Sequence, residues 1–140
     1  MRLEVLRGEF AIVRLGANAA LPPWLEAAGG IHRPEESPAE FLSITRTREE
    51  VSIVCESSRV PADLPMEIPA ERGWRCLKVE GPLDFSLTGV LASLAEPLAR
   101  AEIPIFAIST FDTDYLLVKA GNLEAAIAAL EAVGHVVHVV

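Results

Sequence analysis

The sequence is poor in the residues that build metal centres and disulfide frameworks. Among 140 residues it has two cysteines, Cys55 and Cys76, and three histidines. Both cysteines lie in strand-like segments, so we expect two buried thiols, with a disulfide as the alternative. No spacing among these residues matches a set of metal ligands, and we predict neither a metal nor any other cofactor.

Long apolar runs are missing as well. No segment approaches the ~20 consecutive apolar residues of a membrane helix. The N-terminus also lacks the apolar core that follows positive charges in a secretory signal. We therefore expect a soluble, cytoplasmic protein with no membrane partner.

Positively charged residues are also few in this sequence. Lys and Arg total 12 against 20 Asp and Glu, which gives a formal net charge of -8. An acidic protein repels phosphate, and its arginines at 46, 48, 72 and 75 are scattered without interleaved aromatic residues. We expect no nucleic-acid partner.

The C-terminal half has the order strand, helix, strand, strand, helix, strand. The predicted segments are 74–80, 86–101, 103–108, 115–119, 123–133 and 135–140. This is the order of ferredoxin-like folds, in which two helices cover one face of a four-stranded antiparallel sheet. Apolar residues recur along the first helix at helical spacing, and Asp84 or Ser86 is its predicted N-cap.

The N-terminal half repeats the beginning of that order. A strand near 10–15, a short helix near 22–28 and strands at 41–46 and 51–55 are predicted, and residues 1–15 read as a hairpin or as one strand with an irregular start. Three prolines between Ser57 and Gly73 exclude a long second helix. We interpret this half as a degenerate copy, and predict an α+β protein with domains 1–65 and 66–140.

The hairpin of the C-terminal half has an unusually polar tip. Residues 109–114 read Ser-Thr-Phe-Asp-Thr-Asp, and strand direction brings them to the same end of the sheet as residues 81–86. Backbone N–H groups at a helix N-terminus favour an anion, and Gly81 lets a ligand approach the chain. Asp112 and Asp114 suit an ammonium or guanidinium group. A free amino acid carries both charges, so we predict an amino-acid site.

Simpler interpretations of the same residues stay open. Asp and Thr in a tight turn commonly bond their own backbone, and Phe111 would then plug the core. An Asp-x-Asp pattern can also bind a divalent cation, but this one lacks the glycine and the downstream glutamate of a calcium loop, so a metal site is disfavoured. Ser86 is more typical of a helix cap than of a nucleophile, because no Gly-x-Ser-x-Gly motif surrounds it.

Residues 106–118, Phe-Ala-Ile-Ser-Thr-Phe-Asp-Thr-Asp-Tyr-Leu-Leu-Val, closely resemble a motif of small tandem ACT-domain proteins. That family is related to the CASTOR arginine sensors and, more distantly, to the regulatory domains of aspartate kinases. Residues 74–83 and 41–47 also fit, so the resemblance covers most of the chain.

The resemblance implies two ACT-type units, the N-terminal one degenerate, with a ligand held between units. The sensors have four such units, so a full site requires either both halves of one chain or a dimer. The motif match implies ligand contacts at Gly81, Asp84, Thr110, Phe111 and Asp114, and more loosely at Ser43 and Ile44 of the partner unit. The complete set of predicted ligand-binding residues is Gly81, Asp84, Phe85, Ser86, Ser109, Thr110, Phe111, Asp112, Asp114, Ser43 and Ile44.

We therefore predict a non-catalytic, amino-acid-binding regulatory or sensor protein. It is expected to form a homodimer and to act on an unknown downstream protein. The alternative is a structural or protein-interaction module without a small-molecule ligand. An enzyme is disfavoured, because the sequence has no paired acid–base or nucleophile arrangement.

Overall fold

The computed structural model describes residues 1–25, 40–81, 83 and 88–140. These residues form two compact units: a larger unit of Met1–Arg7 with Trp74–Val140, and a smaller unit of Gly8–Gly73. The division into domains 1–65 and 66–140 stays a prediction. The compact units divide differently, since the first seven residues belong with the C-terminal ones.

The described residues form eight strands and three α-helices. In chain order the strands are β1 (Arg2–Val5), β2 (Phe10–Gly16), β3 (Leu42–Arg46), β4 (Glu50–Glu56), β5 (Ala70–Val79), β6 (Phe106–Ser109), β7 (Asp114–Lys119) and β8 (Val136–Val139). The helices are α1 (Pro23–Leu25), α2 (Val90–Arg100) and α3 (Leu123–Ala132), with 3-10 turns at Ser57–Arg59 and Ala120–Asn122. The predicted α+β class is confirmed. No helix among the described residues has the length and apolar character needed to cross a membrane.

The larger unit has the strand order β6-β7-β5-β1-β8. The predicted four-stranded sheet therefore gains a fifth strand, β1, which is antiparallel to β5 and parallel to β8. The predicted hairpin over residues 1–15 is wrong, because β1 pairs with β5 and β8 while β2 pairs with β4. The physical reason is burial: Leu3 and Val5, on one face of β1, lie fully inside the core of the larger unit.

Helices α2 and α3 bury their apolar stripes on one face of this sheet, as predicted. The buried residues of this core are Leu3, Val5, Leu77, Val79, Leu94, Leu98, Ile103, Leu116, Val118, Ala126 and Leu130. The start of α2 differs from the prediction. It begins at Val90 rather than near residue 86, because its N-cap, Gly89, has a left-handed φ of 75° that interrupts the helix. The N-cap of α2 is Gly89, and the predicted caps Asp84 and Ser86 lie outside the described part of the chain.

The smaller unit contains the strand order β3-β4-β2, and the predicted β3–β4 hairpin is confirmed. Its buried core residues are Ala11, Val13, Leu15, Leu25, Val51, Ile53, Cys55 and Val60. After β4 the chain forms a 3-10 turn and no α-helix, as the prolines predicted. Leu64 and Ile68 pack on the core from this connection. Of the short helix predicted near 22–28, residues 26–28 lie outside the described part.

Candidate functional site

The β6–β7 turn is held by its own hydrogen bonds. The backbone N–H of Thr110 donates to the carbonyl of Thr113 at 2.8 Å, and Thr110 Oγ1 donates to the same carbonyl at 3.1 Å. At the base of the turn, Ser109 Oγ donates to Asp114 Oδ1 at 2.6 Å. Ser109, Thr110 and Asp114 therefore stabilise the conformation of the turn itself, as expected if the polar residues of a tight turn bond within that turn.

Thr113 anchors the turn to the end of β5. Its side chain is only 4% exposed, and its Oγ1 donates to the carbonyl of Val79, the last residue of β5, at 2.7 Å. This bond satisfies a buried acceptor at the point where β5 ends.

Gly81 and Leu83 lie directly against the turn. The N–H of Leu83 donates to the carbonyl of Asp112 at 2.7 Å. A Cβ atom at position 81 would lie 3.2 Å from the oxygen of Asp112 and 3.2 Å from Cβ of Thr113. The predicted proximity of residues 81–86 to residues 109–114 is confirmed for Gly81 and Leu83. A side chain at position 81 would therefore press on two backbone segments that approach each other closely.

A cavity of about 240 Å³ opens beside this contact, lined by Lys78, Gly81, Asp112 and Thr113. Lys78 is half-buried, while Asp112 and Gly81 are exposed. The described residues of the lining therefore combine one basic and one acidic side chain with a glycine and a buried threonine. Its volume is below that of pockets for drug-sized molecules, so it suits a smaller ligand.

Tyr115 lies next to this cavity, opposite Lys78 in the β5–β7 pairing. Burial raises the pKa of the Tyr115 phenol above its ordinary value, and the nearby Cys76 and Asp112 raise it further. The Asp112 carboxylate is therefore close enough to Tyr115 to disfavour a negative charge on its phenol oxygen.

The other predicted site residues have different surroundings. Phe111 is 78% exposed at the tip of the turn, so the interpretation of Phe111 as a core plug is wrong. The reason is its position beyond the last core residues of the hairpin. Ser43 is half-buried and Ile44 is exposed, and both lie on β3 of the smaller unit. Asp84, Phe85 and Ser86 lie outside the described residues.

The helix N-terminus of the predicted site lies later in the chain than expected, because α2 begins at Val90. Of the predicted segment 81–86, the structure describes Gly81 and Leu83, and neither lies in a helix. Among the described residues that line the cavity, the positive group is Lys78.

Lys78 and Thr113 were not predicted as site residues. The strand alternation contained a signal for Lys78, because Leu77 and Val79 face the core and Lys78 therefore points to the opposite face. Thr113 had no comparable signal, since only the folded chain brings its hydroxyl to the end of β5.

Other reactive groups are few among the described residues. Both cysteines are buried and neither forms a disulfide, and burial raises the pKa of Cys55 from 9.0 to about 11. The described ranges contain no cluster of three or more His, Cys, Asp or Glu suited to a metal ion.

Comparisons with known proteins place this site within a known domain. Residues 70–132, which include Gly81 and the turn, match the ACT domain model. A second model, of an N-terminal domain, matches residues 34–63. Residues 70–132 thus form an ACT domain.

Individual relatives agree with this class. The "Cytosolic arginine sensor for mTORC1 subunit 1" of Bos taurus is 32% identical over 114 residues, which are 79% of this chain and 34% of the sensor. A crystal structure of a protein from Agrobacterium tumefaciens is 38% identical, covers 99% of this chain and 92% of its own, and has a TM-score of 0.81. The aspartate kinase of Clostridium acetobutylicum shares the fold at 12% identity, with a TM-score of 0.64 over 94% of this chain and 34% of the kinase.

Residues 70–132 belong to the ACT-domain family, and the chain is similar over 79% of its length to a cytosolic arginine sensor. It spans about a third of the length of the sensors that it matches.

Proposed function

We propose that the protein is a non-catalytic regulatory module that binds a free amino acid. The observation that supports this proposal is the small cavity beside Gly81, whose lining includes one basic side chain, Lys78, and one acidic side chain, Asp112. An amino acid carries a carboxylate and an ammonium group, which complement these two charges. The relatedness to arginine sensors supports the same class of ligand.

The proposed regulatory mechanism is a ligand-dependent shift in the packing of ACT-type units, which a downstream protein recognises. The protein is proposed to be cytoplasmic and homodimeric. Ser43, Ile44 and Asp84 remain proposed ligand contacts on the strength of the family resemblance. Phe85 and Ser86 remain proposed contacts because they belong to the segment 81–86 that was predicted to lie beside the turn.

A thermal-shift screen over the twenty amino acids tests the proposal. At millimolar concentration at least one amino acid should raise the Tm of the wild-type protein, since a ligand that binds only the folded state stabilises it. Asp112→Asn should abolish that shift and leave the Tm without ligand nearly unchanged, because the exposed Asp112 side chain forms no hydrogen bond or ion pair within the described part of the chain.

Asp63→Asn is the matched control. It removes an exposed carboxylate of the smaller unit and should leave the ligand-induced shift intact. The proposal is refuted if no amino acid shifts the Tm of the wild-type protein.

The alternative is a structural or protein-interaction module without a small ligand. The observation in its favour is that Ser109, Thr110 and Thr113 use their hydroxyl groups for bonds that hold the turn. Light scattering with and without amino acids separates the two functions. Assembly that no amino acid changes, together with an absent thermal shift, favours the alternative.

A further inference from the structure

Strand β8 leaves one edge free and exposes apolar side chains beside it. It pairs in parallel with β1 and with no other described strand. Of the ten large apolar residues that are exposed in the described part of the chain, four lie within eight positions: Val133, Val136, Val139 and Val140. They therefore form a patch, and are not scattered single residues. Residues 132–140, together with the free edge of β8, are called the β8 surface below.

The β8 surface lacks the features that protect a free sheet edge. Natural proteins place charged residues, prolines or bulges on such edges, because an exposed apolar edge pairs with other strands. Residues 132–140 contain no Asp, Glu, Lys, Arg or Pro. Of the other free edges among the described strands, β3 ends in Arg46, while β6 follows Pro104 and exposes no large apolar residue. Among these edges, β8 is therefore the one suited to pair with another chain.

Charge favours a second copy of this chain as the occupant of the β8 surface. The formal net charge of -8 makes two copies repel each other, and residues 132–140 contribute nothing to that charge. Two copies can therefore meet there without like charges in direct contact. A partner recognised through ion pairs would find no carboxylate, ammonium or guanidinium group on these residues. A second β8 strand has the same length and the same valines on both of its faces.

Symmetry defines how two β8 strands would pair. An antiparallel pair about a two-fold axis is an isologous contact, which closes after two copies. Pairing of β8 with β3 or β6 of another copy would leave further edges free and would continue into a filament. Opposite residues lie on the same face of a sheet, so the axis passes through a residue. An axis at His138 places Val136 opposite Val140, and Val137 opposite Val139, so that each of these valines meets a valine.

We propose that the β8 surface is the homodimer interface, in which the β8 strands of two copies pair antiparallel around His138. The inference rests on the homodimer of the proposed function and does not depend on the amino-acid site. Residues 132–140 are fewer than the roughly 20–30 residues a side of a standard interface, so the expected dissociation constant is in the micromolar range.

Sedimentation velocity of the full chain over a range of micromolar concentrations tests the proposed surface. Val139→Lys places a charge on the edge, and the side chain is 66% exposed, so the fold should persist in circular dichroism. This variant should dimerise at least about tenfold more weakly, because pairing would bury an ammonium group opposite a valine. Met66→Lys is the matched control: it makes the same change in charge at an exposed position of the smaller unit and should keep the wild-type dimer.

Oxidative cross-linking tests the register. The axis at His138 brings the two Cα atoms of this residue within about 4.5–5.5 Å, a distance that a disulfide can span. His138→Cys should therefore form a covalent dimer on a non-reducing gel. Val136→Cys is the control and should not, because its two copies lie four positions apart along the paired strands. Cys55 and Cys76 are buried in the folded chain and should not cross-link.

The inference and the amino-acid site fail in different ways. A wild-type protein that stays monomeric, a dimer that Val139→Lys does not weaken, or assemblies that grow beyond two copies would overturn the inference about β8. An amino-acid thermal shift in that same protein would leave ligand binding in place. Conversely, a β8 dimer that behaves as expected, in a protein whose Tm no amino acid shifts, supports this inference and refutes amino-acid binding.

Discussion

Replacing Gly81 by alanine is the most direct test of how the site is built. The added Cβ atom would lie 3.2 Å from the Asp112 oxygen, 3.2 Å from the Leu83 nitrogen and 3.2 Å from Cβ of Thr113. Two of these three atoms belong to the backbone, and the Leu83 nitrogen and the Asp112 oxygen also bond each other at 2.7 Å. They cannot both move away from the methyl group without weakening that bond.

The magnitude follows from two opposing effects. Overpacking at a site that relaxes poorly costs about 1–3 kcal/mol. Alanine also reduces the conformational freedom of the unfolded chain, which stabilises the folded state by about 0.4–1 kcal/mol. We expect Gly81→Ala to lower the free energy of unfolding by about 1–2 kcal/mol, which corresponds to a decrease in Tm of about 3–7 °C for a chain of this length.

Urea denaturation followed by circular dichroism measures this change. Gly121→Ala is the matched control, because the new Cβ atom meets nothing within 4 Å and Gly121 lies in the 3-10 turn before α3. The control should be neutral or slightly stabilising. A Gly81→Ala protein as stable as the Gly121→Ala protein would refute the argument that close backbone packing requires glycine at position 81.

Two further predictions concern buried polar groups. Thr113→Val removes the hydroxyl that donates to the Val79 carbonyl at 2.7 Å and should lower the free energy of unfolding by about 1–2 kcal/mol in the same assay. The control Thr45→Val, at an exposed position of β3, should leave the free energy of unfolding almost unchanged. Equal losses in the two variants would contradict this role of Thr113. Because burial raises the pKa of Cys55 from 9.0 to about 11, its contribution to stability should be constant below pH 9 and should decrease as the pH rises from 9 to 11, where the unfolded chain loses the thiol proton first. Iodoacetamide at pH 8, with mass spectrometry of the digested protein, should then leave Cys55 unlabelled until urea unfolds the chain, and rapid labelling of the native protein would contradict the buried, protonated thiol.

Much of the secondary structure was predictable because it depends on local patterns. The apolar spacing of α2 and α3 predicted both helices, and the two apolar segments on either side of the polar residues 109–114 predicted the β6–β7 hairpin. The prolines after Ser57 predicted that no second helix would follow β4.

The errors occurred where a distant contact decides the outcome. β1 lies between β5 and β8 because the larger core has room for Leu3 and Val5, which a hydrophobic pattern over residues 1–15 cannot reveal. The start of α2 depends on the left-handed conformation of Gly89. The apolar spacing continues on both sides of Gly89, so it does not indicate that the helix begins there.

The sequence by itself determined the elements, the ferredoxin-like order and the polar composition of the β6–β7 turn, because periodicity and turn chemistry act over a few neighbouring residues. Only the tertiary structure decided what that turn contacts. Its Thr113 meets the end of β5, its backbone meets Gly81, and its Asp112 shares a cavity with Lys78. These partners are about thirty residues apart in the chain, and the pairing of β5 with β7 is what brings them together.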